Sequence, residues 1–250
     1  MFRHKGKART FQHNFRLATF LSFIAGLVNI CGVLALGVLT TNVTGHFAYF
    51  AEGIVKEKNL SGIYFLFYIL AFLMGSFVSS LLTEYFTNKG SNAPHNAAMF
   101  VEILLLSILG VWGDTLLADG VSIPLLACIL LFAMGLQNSL VSKISNSAVR
   151  TTHLTGLFTD LGIELSQLFF YKEEGQRKRL LLSIGLLGGM IAFFFFGCVV
   201  GGLLFVKIKF RILIIAAVTL VIALVYDNLR LGYYRIRKRL SASEHANQDI

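Results

Sequence analysis

Two near-identical polar hexapeptides lie 111 positions apart in this chain. The first is Thr-Thr-Asn-Val-Thr-Gly at 40–45, and the second is Thr-Thr-His-Leu-Thr-Gly at 151–156. Their hydroxyl, amide and imidazole groups can hydrogen-bond a small solute, and each glycine allows that solute to approach the backbone closely. With two nearby amides, the candidate solute-binding residues are Thr41, Asn42, Thr44, Gly45, Gln137, Asn138, Thr152, His153, Thr155 and Gly156.

Titratable side chains accompany both hexapeptides. His46 and Glu52 follow the first, whereas Asp160 and Glu164 follow the second and are four residues apart, on one face of a helix. Acidic and imidazole groups at membrane depth commonly carry protons in transporters, so these four residues are candidates for proton coupling. The alternative is that they lie at a hydrated interface. Glu102 and Asp114 are weaker candidates of the same kind.

The sequence offers little support for catalysis or for a bound cofactor. It has no His-x-x-x-His pair, no Gly-x-Ser-x-Gly elbow and no Walker motif. We therefore assign no catalytic residue, no metal ligand and no cofactor, and we expect the protein not to be an enzyme. An enzyme embedded in the membrane, using His46, His153, Asp160 and Glu164, is the least favoured alternative.

The composition places these residues in a membrane protein. The chain has 250 residues, of which 56% are hydrophobic and only 14% charged, and its mean hydropathy is +0.72. A soluble domain of this size cannot bury so much apolar surface. Six apolar runs approach or exceed the length of a membrane-spanning helix, about 20 residues, although the last is short. They are Leu17–Leu39, Ile63–Leu82, Ala97–Leu117, Ile123–Leu140, Leu180–Val206 and Phe210–Tyr226.

The hexapeptides belong to a longer internal repeat. Ala25–Asn29 matches Met134–Asn138 upstream, and two long apolar runs follow each hexapeptide. We predict an all-α polytopic membrane protein with about six transmembrane helices and two short half-length or re-entrant helices. Three spans per half is an odd number, so the two repeats would be inverted, whereas an eight-span alternative would make them parallel.

The predicted divisions follow from this repeat. They are a basic N-terminus at 1–16, a first membrane repeat at 17–118, a second at 119–228 and a basic tail at 229–250. Six spans place most of the 22 Lys and Arg residues on the side of both termini, which the positive-inside rule assigns to the cytoplasm. Basic residues at span ends favour contact with the lipid bilayer over nucleic acid.

Each hexapeptide is expected to start a short helix. Thr44 and Thr155 would cap helices that begin at Gly45 and Gly156, leaving free N–H groups at two positive helix ends near the bilayer midplane. Such ends favour an anionic group on the solute, although the hydroxyls suit a neutral one too. Small residues at Gly75/Ser79, Gly185/Gly189 and Gly197/Gly201 predict close helix packing.

The paired motifs resemble those of a known family. Ala25–Asn29 leading to Asn42–Gly45, and Ala133–Ser139 leading to Thr151–Gly156, are similar to the motifs of the YoaK-like family of bacterial inner-membrane proteins of unknown function. The resemblance covers about residues 15–230 and implies a polytopic fold in the bacterial inner (cytoplasmic) membrane. The chain departs from the family pattern at two positions. It has Asn29 where the family commonly has Asp, and His46 where the family commonly has Asn.

These observations predict a secondary transporter or permease for an unidentified small solute, with its binding centre at the two Thr-Gly helix starts. The partners expected are the lipid bilayer, the solute and, as a further option, other copies of the chain in a homo-oligomer. The main alternative is a non-transporting membrane scaffold or partner subunit.

Overall fold

The computed structural model describes residues 11–56, 59–91, 93–145 and 152–226, and these residues form helices joined by short connections. The predicted all-α class is confirmed. The helices are α1 (Phe11–Leu36), α2 (Val43–Val55), α3 (Asn59–Asn88), α4 (Asn96–Ala118), α5 (Ile123–Ser145), α6 (Leu154–Gln167), α7 (Glu174–Ile208) and α8 (212–226). Most of the predicted basic N-terminus, Thr151 and the predicted basic tail at 229–250 lie outside the described residues.

Five segments of the described chain are long and apolar enough to cross a membrane. The fifth, Glu174–Tyr226, has 53 residues and contains both α7 and α8. A short 3-10 turn at Lys209–Arg211 separates them, and Lys209 has a φ of 47° there, outside the helical range. The protein is therefore a multi-pass membrane protein, and the described residues also form two short helices, α2 and α6.

Contacts between helices fix their relative directions. Gly189 lies against Phe15 and Gly201 against Ile30, so α1 and α7 run parallel. Ser76 bonds Gly135 and Glu84 bonds Lys143, so α3 and α5 also run parallel.

The first of these parallel pairs runs opposite to the second. The Gln137 amide donates to the Leu21 carbonyl, while Gly32 lies beside Leu130, so α1 and α5 are antiparallel. We call the side of the membrane on which α1 begins the N-terminal face.

Each parallel pair crosses at glycines. A Cβ added to Gly26 of α1 would lie 2.2 Å from the Phe194 carbonyl oxygen of α7, and one added to Gly197 would lie 2.2 Å from that of Phe23. The α3–α5 crossing repeats this arrangement. A Cβ on Gly135 would lie 2.2 Å from the Phe72 oxygen, and one on Gly75 would lie 2.1 Å from the Phe132 oxygen. Only glycine permits such close approach of two helix backbones.

A hydrogen bond accompanies each crossing at corresponding positions. The Cys198 thiol donates to the Gly26 carbonyl at 3.4 Å, and the Ser76 hydroxyl donates to the Gly135 carbonyl at 3.1 Å. Cys198 and Ser76 are 122 positions apart, as are Phe194 and Phe72. At both crossings, therefore, glycines, phenylalanines and one hydrogen-bond donor occupy corresponding positions of the repeat.

The helices form two groups, and each group contains helices from both halves of the sequence. Helix α6 packs on α7, so α1, α6 and α7 form group one. Helix α2 packs on α3, and α4 packs on both α3 and α5. Helices α2, α3, α4 and α5 therefore form group two. Each first helix, α1 or α5, thus packs mainly against helices from the other half of the sequence.

The predicted small-residue pairs are only partly engaged in packing. Gly75, Gly189, Gly197 and Gly201 all contact a neighbouring helix, as predicted, whereas a Cβ on Gly185 would meet nothing within 4 Å. The prediction of close packing was wrong at Gly185 because that position of α7 is exposed.

Substitution at a crossing glycine should destabilise the fold. In Gly135→Ala the new methyl group must push α5 away from the Phe72 backbone, with an expected loss of about 1–3 kcal/mol. Gly185→Ala is the matched control and should cost nothing, since its methyl group enters open space and alanine favours the helix. Thermal unfolding of the purified proteins measures both effects, and equal losses in the two variants would contradict this packing.

Candidate solute-binding site

A pocket of about 910 Å³ lies between the two groups of helices, and both hexapeptides line it. Its walls come from α1, α3, α5 and α7 and from the starts of α2 and α6. The lining residues are Asn29, Leu39, Thr41, Asn42, Val43, Thr44, Gly45, Ala48, Phe72, Asn138, Ser142, Thr152, His153, Leu154, Thr155 and Phe194.

The first hexapeptide reaches the pocket because α1 ends in a tight reversal. Gly37 has a φ of 68°, its N–H bonds the Val33 carbonyl, and the Val38 N–H bonds the Gly32 carbonyl. This glycine-based helix end turns the chain sharply. The following residues run back along α1, where Thr40 lies against Gly32.

Asn29 of α1 holds this returning segment in place. Its side-chain oxygen accepts the Thr40 N–H at 3.0 Å, the Thr40 hydroxyl at 3.5 Å and the Thr41 hydroxyl at 3.1 Å. Asn29 and Thr40 are buried, so these bonds satisfy polar groups that would be costly to leave unpaired. The amide is thus a structural partner of the hexapeptide.

Helix α2 starts two residues earlier than predicted, and a different residue caps it. The helix begins at Val43, and the Asn42 side-chain oxygen accepts the Gly45 N–H at 2.9 Å. The prediction of a Thr44 cap was wrong because Asn42 occupies the capping position, which leaves Thr44 inside the first turn and exposed to the pocket.

A similar bond holds the described part of the second hexapeptide, residues 152–156. The Thr152 hydroxyl donates to the Asn138 side-chain oxygen of α5 at 3.0 Å. Helix α6 begins at Leu154, and His153 occupies the capping position without a side-chain capping bond. The prediction of a Thr155 cap was therefore also wrong.

The two short helices leave the pocket toward opposite faces of the membrane. Helix α2 ends at Val55, next to the start of α3, and Gly53 lies against Gly62. Helix α6 ends at Gln167, next to the start of α7 on the N-terminal face. Both positive helix ends therefore point into the pocket from opposite directions.

Most of the predicted solute-binding residues line this pocket. Those that do are Thr41, Asn42, Thr44, Gly45, Asn138, Thr152, His153 and Thr155. Gln137 does not, because its side chain is fully buried and its amide donates to Leu21 of α1. Gly156 is also outside the lining, since the His153 ring covers the position where a Cβ would be.

The proton-coupling candidates of the first half lie outside the pocket lining. The buried His46 ring lies 2.7 Å from the Leu39 carbonyl through Nε2 and packs against Phe65 and Tyr68. Glu52 is exposed and pairs with Lys56 at the far end of α2. His46 thus anchors α2 to α3, directly after Gly45 of the pocket lining.

The proton-coupling candidates of the second half also lie outside the pocket lining. Asp160 is exposed on α6, whereas Glu164 accepts the Ser183 hydroxyl of α7 at 2.6 Å. The weaker candidate Glu102 is fully buried in α4, and neither of its oxygens has a hydrogen-bond partner among the described residues. Proton coupling by His46, Glu52, Asp160 and Glu164 stays a prediction.

Two aromatic residues of the pocket were missed by sequence reasoning. Phe72 and Phe194 line it from α3 and α7, and Ser142 adds a hydroxyl from α5. The repeat alignment, extended to the third helix of each half, would have found both phenylalanines. Phe72 and Phe194 are separated by the same number of positions as Gly75 and Gly197.

The two capping positions should respond differently to truncation. Asn42→Ala removes a capping bond and should cost about 1 kcal/mol, whereas His153→Ala removes none and should cost less. The midpoints of thermal unfolding measure the difference. A larger loss for His153→Ala would contradict the caps described above.

The chain was also compared with known proteins. A family model described as "Protein of unknown function (DUF1275)" matches residues 17–226. A UPF0700 transmembrane protein, YoaK of Bacillus subtilis (strain 168), is 24% identical over 159 residues, which cover 63% of this chain and 70% of that protein. No solved structure matches the chain. Because the family model spans most of the sequence, the chain belongs to the DUF1275 family, as its YoaK-like motifs indicate.

Proposed function

We propose that the protein is a secondary transporter or permease for a small solute, which binds between the two Thr-Gly segments. The observation that carries this proposal is the convergence of both hexapeptides on one pocket between two groups of helices. Polar groups are expensive inside a membrane unless they bind each other or a ligand. Thr44 and Thr155 are exposed at this pocket, so their hydroxyls are available to a solute.

The arrangement of the helices supports inverted repeats. The parallel pairs α1–α7 and α3–α5 have matched glycine crossings and run in opposite directions. We infer that α1–α4 and α5–α8 are two repeats related by an axis in the membrane plane, as in many transporters that alternate access by rocking one bundle against another. The two groups of helices would be the moving bundles.

The charges support an orientation with both termini in the cytoplasm of a bacterial cell, in its inner membrane. By the helix directions, the larger set of described cations lies on the N-terminal face: Arg16, Lys89, Lys143, Lys172, Arg177, Lys178 and Arg179. The opposite face has Lys56, Lys207, Lys209 and Arg211. This bias agrees with the positive-inside rule.

A scaffold subunit is the alternative, and cysteine accessibility separates the two proposals. Cys31, Cys128 and Cys198 would first be replaced, and single cysteines then placed at Thr44 or Thr155. A membrane-impermeant thiol reagent would be applied from each face of oriented vesicles. A transporter predicts that both cysteines react, and that the reactive face switches with pH or with added solute.

The control is a cysteine at Gly185, which is exposed on the surface of α7 away from the pocket. The face from which it reacts should not change with pH or solute. If neither Thr44→Cys nor Thr155→Cys reacts from either face in a folded protein, the proposed aqueous site is wrong, and the scaffold alternative gains support.

A further inference from the structure

The two short helices are anchored with unequal strength. On α2, a Cβ at Gly53 would lie 2.5 Å from the Gly62 Cα of α3, so these helix backbones are in direct contact. The buried His46 adds ring contacts with Phe65 and Tyr68, whose centroids are 5.9 and 5.3 Å away. Helix α2 therefore packs closely along much of its length.

Helix α6 has no comparable packing in the described part of the chain. Leu157 is its one buried residue, and a Cβ at Gly162 would meet nothing within 4 Å. Glu164 occupies the position that corresponds to Gly53 in the repeat, and it accepts the Ser183 hydroxyl of α7. The contact of α6 with α7 is therefore looser and more polar.

Hydrogen bonds to an asparagine also hold the start of each short helix. Each asparagine joins the two groups, since Asn29 of group one holds the segment before α2, and Asn138 of group two holds the segment before α6. Among the described residues, which do not include Thr151, Asn29 accepts three bonds, one of them from a backbone N–H, and Asn138 accepts one bond from the Thr152 hydroxyl.

We propose that the hydrogen bond between Thr152 and Asn138 is a latch, and that α6 rather than α2 is the gate of the pocket. Breaking this bond releases the start of α6 from α5, while the Glu164–Ser183 bond keeps α6 with α7. Because α6 runs from the pocket to the N-terminal face, its release opens the pocket toward that face. Asn138 and Thr152 are then positioning residues, and their polar atoms hold the gate instead of the solute.

This inference deepens the proposed function but can be tested without a solute. Thr152→Val removes the donor with little change of shape, and Thr152→Ser keeps it. Thr41→Val is the matched control at the other short helix, where the Thr40 N–H still bonds Asn29. Asn138→Ala removes the acceptor and provides a second way to break the latch.

Hydrogen–deuterium exchange of the protein in lipid nanodiscs measures the result. We expect exchange in peptides that cover α6 to rise about fivefold in Thr152→Val, because one hydrogen bond is lost. Asn138→Ala should show the same local rise, while Thr152→Ser should match the unsubstituted protein. Thr41→Val should leave exchange in α2 unchanged.

Three outcomes would overturn the latch. They are unchanged exchange in α6 on loss of the bond, an equal rise in α2 in Thr41→Val, and a rise of similar size in all helices. The proposed function is judged separately, since the cysteines at Thr44 and Thr155 can switch faces whether or not α6 is the gate.

Discussion

The close approach of helix backbones at four glycines determines the arrangement of this protein. Lipid chains are as apolar as the helices themselves, so helices associate in a membrane mainly through tight packing and hydrogen bonds. Gly26 and Gly197 supply that packing for α1 and α7, and Gly75 and Gly135 supply it for α3 and α5. At these crossings the first helix of each half packs against the third helix of the other half. The hexapeptides meet in the space between the two helix pairs.

The polar residues of the pocket illustrate two uses of a hydrogen-bonding group inside a membrane. Asn29 and Asn138 satisfy the threonines that precede the short helices. Thr44 and Thr155 lie one turn further on and remain exposed at the pocket. The same repeated sequence thus provides both the hydrogen bonds that hold the segment and the groups that can bind a solute.

Much of this architecture was predictable from the sequence because it depends on local patterns. Apolar length predicted the long helices, and the two hexapeptides predicted a short helix after each of them, although α2 begins two residues before the predicted Gly45. The repeated hexapeptide identified most of the polar pocket lining. The helix caps were not predicted correctly, since asparagine and threonine are both good caps and the exact register depends on the reversal after Gly37.

The position of Gln137 depends on a contact between two helices that are distant in the sequence. Gln137 resembles a ligand in the sequence, yet it is turned toward Leu21 of α1. His46 and Glu164, two of the proton-coupling candidates, each contact the helix that follows their own, α3 or α7. The Gln137 contact depends on how α5 packs against α1, which no local sequence pattern reports.

The central claim is that both hexapeptides line one pocket, and chemical cross-linking tests it most directly. Cysteines would be placed at Thr44 and Thr155 in a chain that lacks Cys31, Cys128 and Cys198, and treated with a short bifunctional thiol reagent. A cysteine pair at Thr44 and Asp160 is the control, since Asp160 is exposed but does not line the pocket. We expect efficient cross-linking within single molecules for the first pair and little for the second. Failure of the Thr44–Thr155 pair to cross-link in a folded protein would contradict the central claim.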